Sequence, residues 1–506
     1  MDSNSTSITS ISESIDRSDS RDTVNTQPET ITAEQHNARK YVIGKDAKEV
    51  MESTCQLEKS GSRKHLLSQG VTCFLASLGM WVMGSIQVYP SVLSSDLFSH
   101  NTTIYGTHIA FTNFQMDAVG GLVSLGSLPG SWAIGAVMVV KGRRFAMAIV
   151  GVVAVISWLG VALLDTIPGF LLARLLSGMV AGGGSVALNT YKVEVASPEL
   201  RGVIAVIFNT GITTGQLVIM GVGYKTRYYT VALIIIVIPI IFLLGLFCVP
   251  ESPSYLVLKG HEDRAKEVLM KLRGSNADIQ AEINSYHLMN QEHKKQSVWR
   301  GLLQPQALKS IAIVSALFLF QNFTGYLVIN ANASRFFSET ASSINEYFCS
   351  FLLILIQVVV GIIPLFLADT IGRRKSLILS FSIAMLGLTG MAVFVSVTEG
   401  NEAPSLRYGW VPLVLLMTSQ AGISLGAQYI PFLLMSEYFP TWIRTQAASI
   451  CFSINTLLAF MALQLYTPML EGLTQAGLYL CYSSSCLLGI LFTIFFVRET
   501  MGQNIG

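Results

Sequence analysis

The stretch Asp369-Thr370-Ile371-Gly372-Arg373-Arg374-Lys375 is a short charged turn between two long apolar runs. An earlier stretch, Lys141-Gly142-Arg143-Arg144, repeats it between two other apolar runs. Two further signatures recur in the same order: a glutamate followed seven residues later by an arginine, and a glutamate after the last run of each half. These residues are Glu194 with Arg201, Glu437 with Arg444, and Glu251 with Glu499. Because the copies lie roughly 230 to 250 residues apart, the sequence predicts an internal duplication.

The composition is that of a membrane protein. The chain has 506 residues, of which 51% are hydrophobic and 13% charged, and its mean hydropathy is +0.53, which excludes a single soluble core. Twelve apolar runs are each about 20 residues long, enough for a helix to cross a bilayer. They lie at 66–88, 118–140, 145–164, 169–191, 203–223, 229–249, 311–330, 346–368, 376–397, 409–434, 447–466 and 476–497. None alternates with a period of two, so we expect an all-α membrane protein with twelve transmembrane helices.

Lysine and arginine residues are concentrated in alternate loops. The loops on the other side contain only four: Lys225, Arg227, Arg335 and Arg407. The positive-inside rule therefore places both termini in the cytoplasm. Residues 1–64 are polar and predict a disordered cytoplasmic tail. The expected order is then a membrane segment at 65–250, cytoplasmic linker helices at 251–307, a second membrane segment at 308–499 and a short tail at 500–506. Asn101, in the sequon Asn101-Thr102-Thr103, falls on the predicted outer side and is a candidate glycosylation site.

Neutral amides and hydroxyls are gathered in five of the predicted spans. The candidate ligand-binding residues are Asn209, Gln216, Gln321, Asn322, Gln357, Ser424 and Asn455, with Phe432 as an aromatic neighbour. Amides both donate hydrogen bonds to hydroxyl groups and accept them, and an aromatic face covers the C–H face of a sugar ring. The pattern indicates a neutral polyhydroxyl ligand, although any single amide could instead hold two helices together.

Charged and reactive groups argue against other kinds of site. The first span contains no carboxylate at mid-membrane, so passive exchange is favoured over proton coupling. The spans also show no pair of nucleophile and base and no metal-ligand cluster, so we expect neither an enzyme nor a cofactor, and nothing indicates nucleic acid binding.

The charged signatures should meet where helix ends converge on the inner face. The expected network comprises Arg143, Arg144, Glu194, Arg201, Glu251, Asp369, Arg373, Arg374, Glu437, Arg444 and Glu499. A network that forms in one conformation and breaks in another can bias a transport equilibrium. The alternative is that these charges only orient the chain in the membrane.

With these residues in place, the chain resembles the sugar porter family of the major facilitator superfamily, in particular the facilitated trehalose transporters of insects. The resemblance rests on both Gly-Arg-Arg turns, on Pro250-Glu251-Ser252-Pro253, on Gln321 with Gly325, and on the stretch from Glu437 to Arg444. It implies two six-helix bundles, a central site and alternating access by rocking of the two halves.

The family's sugar-contacting positions match Asn209, Gln321, Asn322, Gln357, Ser424, Phe432 and Asn455 in this sequence. Five departures alter the pocket. Asn322 stands for a second glutamine, Leu327 for an asparagine, Gln428-Tyr429 for Gly-Pro, Phe432 for a tryptophan and Thr456 for another tryptophan. The resemblance implies a monomeric, facilitative plasma-membrane carrier of trehalose or a hexose. The alternatives are a sugar sensor that transports nothing and a carrier of another small neutral polar solute.

Overall fold

The computed structural model describes residues 69–97, 100, 102–196, 201–274, 279–295, 301–339, 345–363, 371–398, 409–439 and 443–500. These residues belong to one compact unit, Lys64–Gly506. Their secondary structure is helical apart from one isolated bridge between Thr102 and His108. The helices are α1 Gln69–Leu97, α2 Asn113–Lys141, α3 Arg143–Leu163, α4 Ile167–Val195, α5 Arg201–Gly223, α6 Tyr228–Ile235, α7 Val237–Gly245, α8 Pro253–Leu258, α9 Glu262–Arg273, α10 Ile279–Lys295, α11 Pro305–Asn322, α12 Tyr326–Ala331, α13 Ala333–Glu339, α14 Glu346–Gly361, α15 Arg373–Thr398, α16 Val411–Ser424, α17 Ile430–Glu437, α18 Arg444–Gln464 and α19 Tyr466–Phe496.

Each of the twelve predicted runs contains helix in the part that the structure describes. Eight helices of the described chain are long and apolar enough to cross a membrane: α1 to α4, the continuous pair α6 and α7, α15, α18 and α19. The other four runs correspond to α5, to α11 with α12, to α14, and to α16 with α17. The largest differences from the predicted boundaries are at two helices. Helix α1 continues to Leu97, and α19 begins at Tyr466 and bends at Thr474, whose φ is 63°.

Two of the predicted spans are broken in the middle. The run at 311–330 stops being helical after Asn322 and resumes at Tyr326, and the run at 409–434 is interrupted between Ser424 and Ile430. The sequence did not predict these breaks, because an apolar run carries no information about backbone dihedral angles. A break frees backbone carbonyl groups from the helix, and within a membrane those groups need another partner.

Buried apolar side chains form two large clusters, one in each half of the chain. The first runs from Cys73 to Leu272 and includes Tyr347 and Ile354 from the second half, and the other runs from Leu302 to Val497. Helices α2 and α4 lie so close that a Cβ atom on Gly182 would stand 2.0 Å from the Ser127 carbonyl oxygen. Only glycine permits this approach, which brings two helices of the first half into backbone contact.

The linker helices pack against the first half. Leu256, Leu269 and Ile283 belong to a small separate core shared by α8, α9 and α10. Arg273 at the end of α9 donates to the Val195 carbonyl oxygen at 2.8 Å and pairs with Glu282 at 3.2 Å. The linker is therefore fixed to the end of α4 through the last carbonyl groups of that helix.

Candidate functional site

The amides of the second half lie where helix α11 ends. Gln321 and Asn322 are its last two residues, and the chain then turns through Phe323, Thr324 and Gly325. Gly325 has a φ of 76°, and a Cβ atom there would lie 2.4 Å from the ring of Tyr482. Glycine is thus required both by the left-handed backbone and by the available space. The break leaves the two amides beside an unwound segment.

The two broken helices meet at Gln321. Its Nε2 atom donates to the backbone carbonyl oxygen of Gln428, at 3.2 Å, in the unwound segment between α16 and α17. Gln428 in turn donates through Nε2 to the hydroxyl oxygen of Tyr326 at 2.6 Å, and Gln420 donates to the Tyr326 carbonyl oxygen at 3.4 Å. These bonds hold both breaks together and orient the amide side chains.

Several polar atoms in this cluster are buried without a partner among the described residues. They are Gln321 Oε1, Gln420 Oε1 and Ser424 Oγ. A buried polar atom that makes no hydrogen bond costs about 1 to 3 kcal/mol. The hydroxyl groups of a ligand are hydrogen-bond donors of the kind these atoms lack, which makes this the part of the cluster best suited to bind one.

Asn322 and Asn455 form a second pair beside an aromatic side chain. Asn322 Nδ2 donates to Asn455 Oδ1 and to the Phe318 carbonyl oxygen, each at 2.8 Å. The Phe318 ring packs edge-on against the ring of Phe432, with the centroids 4.9 Å apart. Phe432 remains 38% exposed. The accessible Phe432 ring thus packs on Phe318, whose own backbone carbonyl oxygen accepts from Asn322. An exposed aromatic face beside an amide is the arrangement expected for covering a sugar ring.

Gln357 is fully engaged within the protein. Its Nε2 atom donates to Asn330 Oδ1 at 2.8 Å and to the Leu353 carbonyl oxygen at 3.2 Å, and its Oε1 atom accepts from Asn330 Nδ2 at 3.3 Å. Its exposed fraction is 1%. Asn330 is not among the residues predicted from the sequence, where its signal is a lone amide in the apolar segment α12. In this conformation the pair joins α12 to α14.

In the first half, Gln216 on α5 donates through Nε2 to Gln87 Oε1 on α1, at 3.1 Å, and Gln216 Oε1 is buried without a partner among the described residues. The two helices are in backbone contact, since a Cβ atom on Gly215 would lie 2.1 Å from the Trp81 carbonyl oxygen. This contact places both glutamines together. The side chain of Asn209 lies outside the described part of the structure, as does residue Asn101.

The charged residues form two copies of one arrangement. In the first half, Arg143 binds both carboxylate oxygens of Glu194, at 2.9 and 2.7 Å, and Glu251 accepts from the backbone N–H groups of Arg143 and Arg144, at 2.9 and 3.2 Å. Gly142, with a φ of 97°, makes room, since a Cβ atom there would lie 2.5 Å from Glu251 Oε2. A carboxylate at the first turn of α3 is also favoured by the helix dipole.

The second half repeats these contacts with different helices. Arg373 binds Glu437 at 3.1 Å, and Glu499 accepts from the backbone N–H groups of Arg373 and Arg374, at 2.9 and 3.1 Å. Gly372 again has a positive φ, 95°, beside the carboxylate of Glu499. The predicted duplication is therefore visible at atomic level. We call the end of the molecule formed by these two copies the charged end.

Three predicted members of the charge network also bind backbone carbonyl oxygens among the described residues. Arg444 donates through Nε to the Phe439 carbonyl oxygen at 3.2 Å, which ties it to the turn before α18. Arg144 donates to the Phe247 carbonyl oxygen at 3.4 Å, and Arg374 donates to that of Ile494. The side chain of Arg201 and residue Asp369 lie outside the described part of the chain.

The two halves contact each other at the end opposite the charged end. Tyr347 on α14 donates its hydroxyl hydrogen to the Met220 carbonyl oxygen on α5 at 2.7 Å, and Ser334 Oγ donates to the Ser91 carbonyl oxygen at 3.1 Å. A further bond, from Trp132 Nε1 to Ser453 Oγ at 3.2 Å, lies midway along α2 and α18. The first two contacts close the opposite end.

A metal-binding role has no support in the part of the chain that the structure describes, where no group of three or more His, Cys, Asp or Glu side chains could hold an ion. The site is built from neutral amides, hydroxyls and aromatic rings. Such groups bind and orient a polar ligand without providing a nucleophile or a general base.

Comparisons with known proteins identify the family of the chain. The model of the "Sugar (and other) transporter" family matches residues 68–505. The chain is 28% identical over 445 residues to a facilitated trehalose transporter Tret1 of Culex quinquefasciatus, covering 87% of this chain and 85% of that protein. It is also 28% identical over 441 residues to the Tret1 of Aedes aegypti, of which it spans only 54% of the length.

Among solved structures, the partially occluded inward open conformation of the xylose transporter XylE from E. coli aligns with a TM-score of 0.71. The two chains are 20% identical, and the match covers 86% of this chain and 99% of that one. The predicted fold class is confirmed, and so is the prediction that the chain is not an enzyme, since the matching family is one of transporters. The chain therefore belongs to the sugar (and other) transporter family and is a multi-pass, all-α membrane protein with the major facilitator fold.

Proposed function

We propose that this protein is a facilitative sugar carrier that works by alternating access, with trehalose or a hexose as its substrate. The observation that carries the proposal is the cluster of buried, unpartnered polar atoms on Gln321, Gln420 and Ser424 between two broken helices. Neutral acceptors beside unwound backbone suit a neutral ligand with many hydroxyl groups. The names of the insect relatives, facilitated trehalose transporters, support a disaccharide as one candidate.

The binding residues have distinct roles in this proposal. From the second half, Gln321, Ser424 and Asn455 hold sugar hydroxyl groups and Phe432 packs on the ring. Asn322 orients Asn455 and shares the ligand with it. Gln357 reaches the sugar only by giving up Asn330, so its contact belongs to a different stage of the cycle.

Gln216 and Asn209 contribute from the first half. The amide of Gln216 is held by Gln87 and retains a free oxygen, so it can accept one hydrogen bond from the ligand. Asn209 lies seven residues earlier on α5, two helical turns away and on the same face.

The orientation follows from the distribution of positive charge. We place the charged end in the cytoplasm, together with both termini, because lysine and arginine residues accumulate on the inner side of membrane proteins. The protein is then a plasma-membrane carrier whose outer end is closed by contacts between the halves, which corresponds to an inward-facing state. On this orientation Asn101 lies outside the cell, where its sequon can be glycosylated. The carrier works as a monomer made of the bundles 65–250 and 308–499.

Each charged copy joins helices within its own half. Arg143 binds Glu194 and Arg373 binds Glu437 in this conformation, and on this proposal the pairs loosen when the carrier changes state. These pairs are part-buried, and each contributes about 1 kcal/mol or less. Their proposed role is to bias the equilibrium between conformations, which needs only a small free-energy difference.

The proposal is tested by initial rates of uptake of labelled trehalose and glucose into vesicles that contain the purified protein. Saturable uptake of either sugar supports a carrier, and the ratio of the two rates ranks the substrates. Sugar binding without uptake would support a sensor instead. If the protein neither binds nor transports either sugar, the cluster serves another small polar solute and the sugar assignment is wrong.

A further inference from the structure

A buried acid and a buried arginine meet across the two halves at the end opposite the charged end. Asp117 lies near the start of α2 in the first half, and Arg335 lies in α13 in the second half. Arg335 Nη1 stands 3.6 Å from Asp117 Oδ1, and the exposed fractions of the two side chains are 6% and 0%. From the sequence, Arg335 is expected in an outer loop, and Asp117 carries no signal that marks it. The structure corrects that assignment, because Arg335 is part of a helix and is buried.

The carboxylate of Asp117 also accepts a hydrogen bond from the first turn of helix α19. The backbone N–H of Thr467 donates to Asp117 Oδ2 at 2.9 Å, and Arg335 Nη1 contacts Thr467 Oγ1 at 3.4 Å. The Arg335 guanidinium lies 4.9 Å from the centre of the Tyr466 ring. Asp117 of the first half is thus bound by Arg335 and by the N-terminus of α19, both of the second half. Arg335 is itself stacked on the ring of Tyr466.

Two contacts near this pair are neutral. Ser91 and Ser334 are joined by their hydroxyl groups at 2.9 Å, and Gln464 donates to the Phe114 carbonyl oxygen at 3.4 Å. Neutral hydrogen bonds at this end can be exchanged for bonds to water when the halves separate. A buried charge pair behaves differently, because removing one partner leaves the other charge unpaired in a poorly solvated position.

On the basis of the proposed function, we propose that Asp117, Arg335 and Thr467 form the gate that closes the outer entrance of the carrier. The gate is intact only in the conformation that is closed at this end. Opening separates the two halves, so that water solvates Asp117 and Arg335 individually. The two charged residues therefore set the ratio of the two conformations without contacting the sugar.

The chain offers a matched control at the same end. Asp96 pairs with Arg227 at 3.1 Å, and its Oδ2 atom accepts from the Tyr228 backbone N–H, at the start of α6, at 3.0 Å. This carboxylate also binds an arginine and a helix N-terminus, but all three residues belong to the first half. Asp96→Asn therefore removes the same chemistry without touching the contact between the halves.

The experiment measures how readily water-soluble reagents enter from this end. Ala331 is 2% exposed and packs against the first half, since a Cβ atom on Gly120 would lie 3.8 Å from the Cβ atom of Ala331. An Ala331→Cys variant is labelled in vesicles with a membrane-impermeant thiol reagent, and the labelling of the parent chain, which has seven cysteines of its own, is subtracted. We expect Asp117→Asn to increase the labelling rate at least about tenfold. The substitution leaves the Arg335 charge buried without its carboxylate partner, which destabilises the closed conformation and shifts the equilibrium towards the conformation open at this end.

A double variant guards against single variants that fail to fold. Asp117→Asn with Arg335→Gln leaves no unpaired buried charge, so it should fold, and its labelling rate should lie between those of the parent and of Asp117→Asn. Unchanged labelling in both Asp117→Asn and the double variant would overturn the gate, and so would an equal increase in Asp96→Asn.

The labelling assay needs no sugar, so it separates this inference from the proposed function. If labelling responds as expected but vesicles take up neither trehalose nor glucose, the gate stands and the sugar assignment fails. If uptake is normal and labelling does not respond, the gate fails and the carrier stands.

Discussion

Replacing Gln321 with alanine should weaken sugar binding by a predictable amount. The side chain is 7% exposed, its Nε2 atom is already used by the Gln428 carbonyl oxygen, and its Oε1 atom has no partner among the described residues. The substitution therefore removes one acceptor for a sugar hydroxyl group. A neutral hydrogen bond contributes about 0.5 to 1.5 kcal/mol, which corresponds to an increase in Kd of about 2- to 13-fold.

The assay is calorimetric titration of the purified protein with trehalose and with glucose, together with the KM of uptake. Gln357→Ala is the informative comparison, because both amide atoms of Gln357 are bound to Asn330. That substitution leaves the Asn330 amide unpaired and should lower the free energy of unfolding by about 1 to 3 kcal/mol. The thermal stability of Gln321→Ala should change less. If Gln321→Ala leaves both Kd and KM at the parent values, Gln321 does not hold the sugar and the assigned site is wrong.

Two further predictions concern the charged end and the first helix break. Glu437→Gln should weaken the pair with Arg373 by about 1 kcal/mol, which shifts the ratio of the two conformations while the Kd for sugar within either one stays the same. Unchanged reactivity of cysteine probes at the charged end would count against this role. Gly325→Ala should destabilise the fold by at least about 1 to 2 kcal/mol, because the φ of 76° disfavours a Cβ atom and the Tyr482 ring would have to move. Gly361→Ala, where a Cβ atom meets nothing within 4 Å, is the control, and equal melting temperatures for the two variants would contradict the explanation of the break.

The spans and the charged signatures could be predicted from the sequence for physical reasons. An apolar run of sufficient length must become a helix in lipid, because its backbone groups have no other partner there. The pairs Arg143 with Glu194 and Arg373 with Glu437 recur at matching positions of two similar halves. A duplicated sequence that folds into two similar halves places equivalent residues in equivalent contacts.

The remaining features depend on packing that hydropathy does not describe. The break after Asn322 is fixed by a positive φ at Gly325 and by the ring of Tyr482, which lies more than 150 residues away in the sequence. The pair of Asn330 with Gln357 depends on which faces of two helices meet. Pairing between Asp117 and Arg335 depends on how the halves approach each other. None of these contacts is marked in the sequence by a hydrophobic periodicity or by a fixed spacing between residues.

The central claim is that the protein moves a neutral sugar through the amide cluster without using an ion gradient. The most direct test is the steady-state ratio of internal to external sugar in vesicles containing the purified protein, measured with and without an inward proton gradient. The account predicts that this ratio rises to one and stops there in both conditions, with the Gln321→Ala variant reaching the same ratio more slowly at low sugar concentration. Accumulation above one that depends on the gradient would contradict it, and would identify a coupled carrier instead.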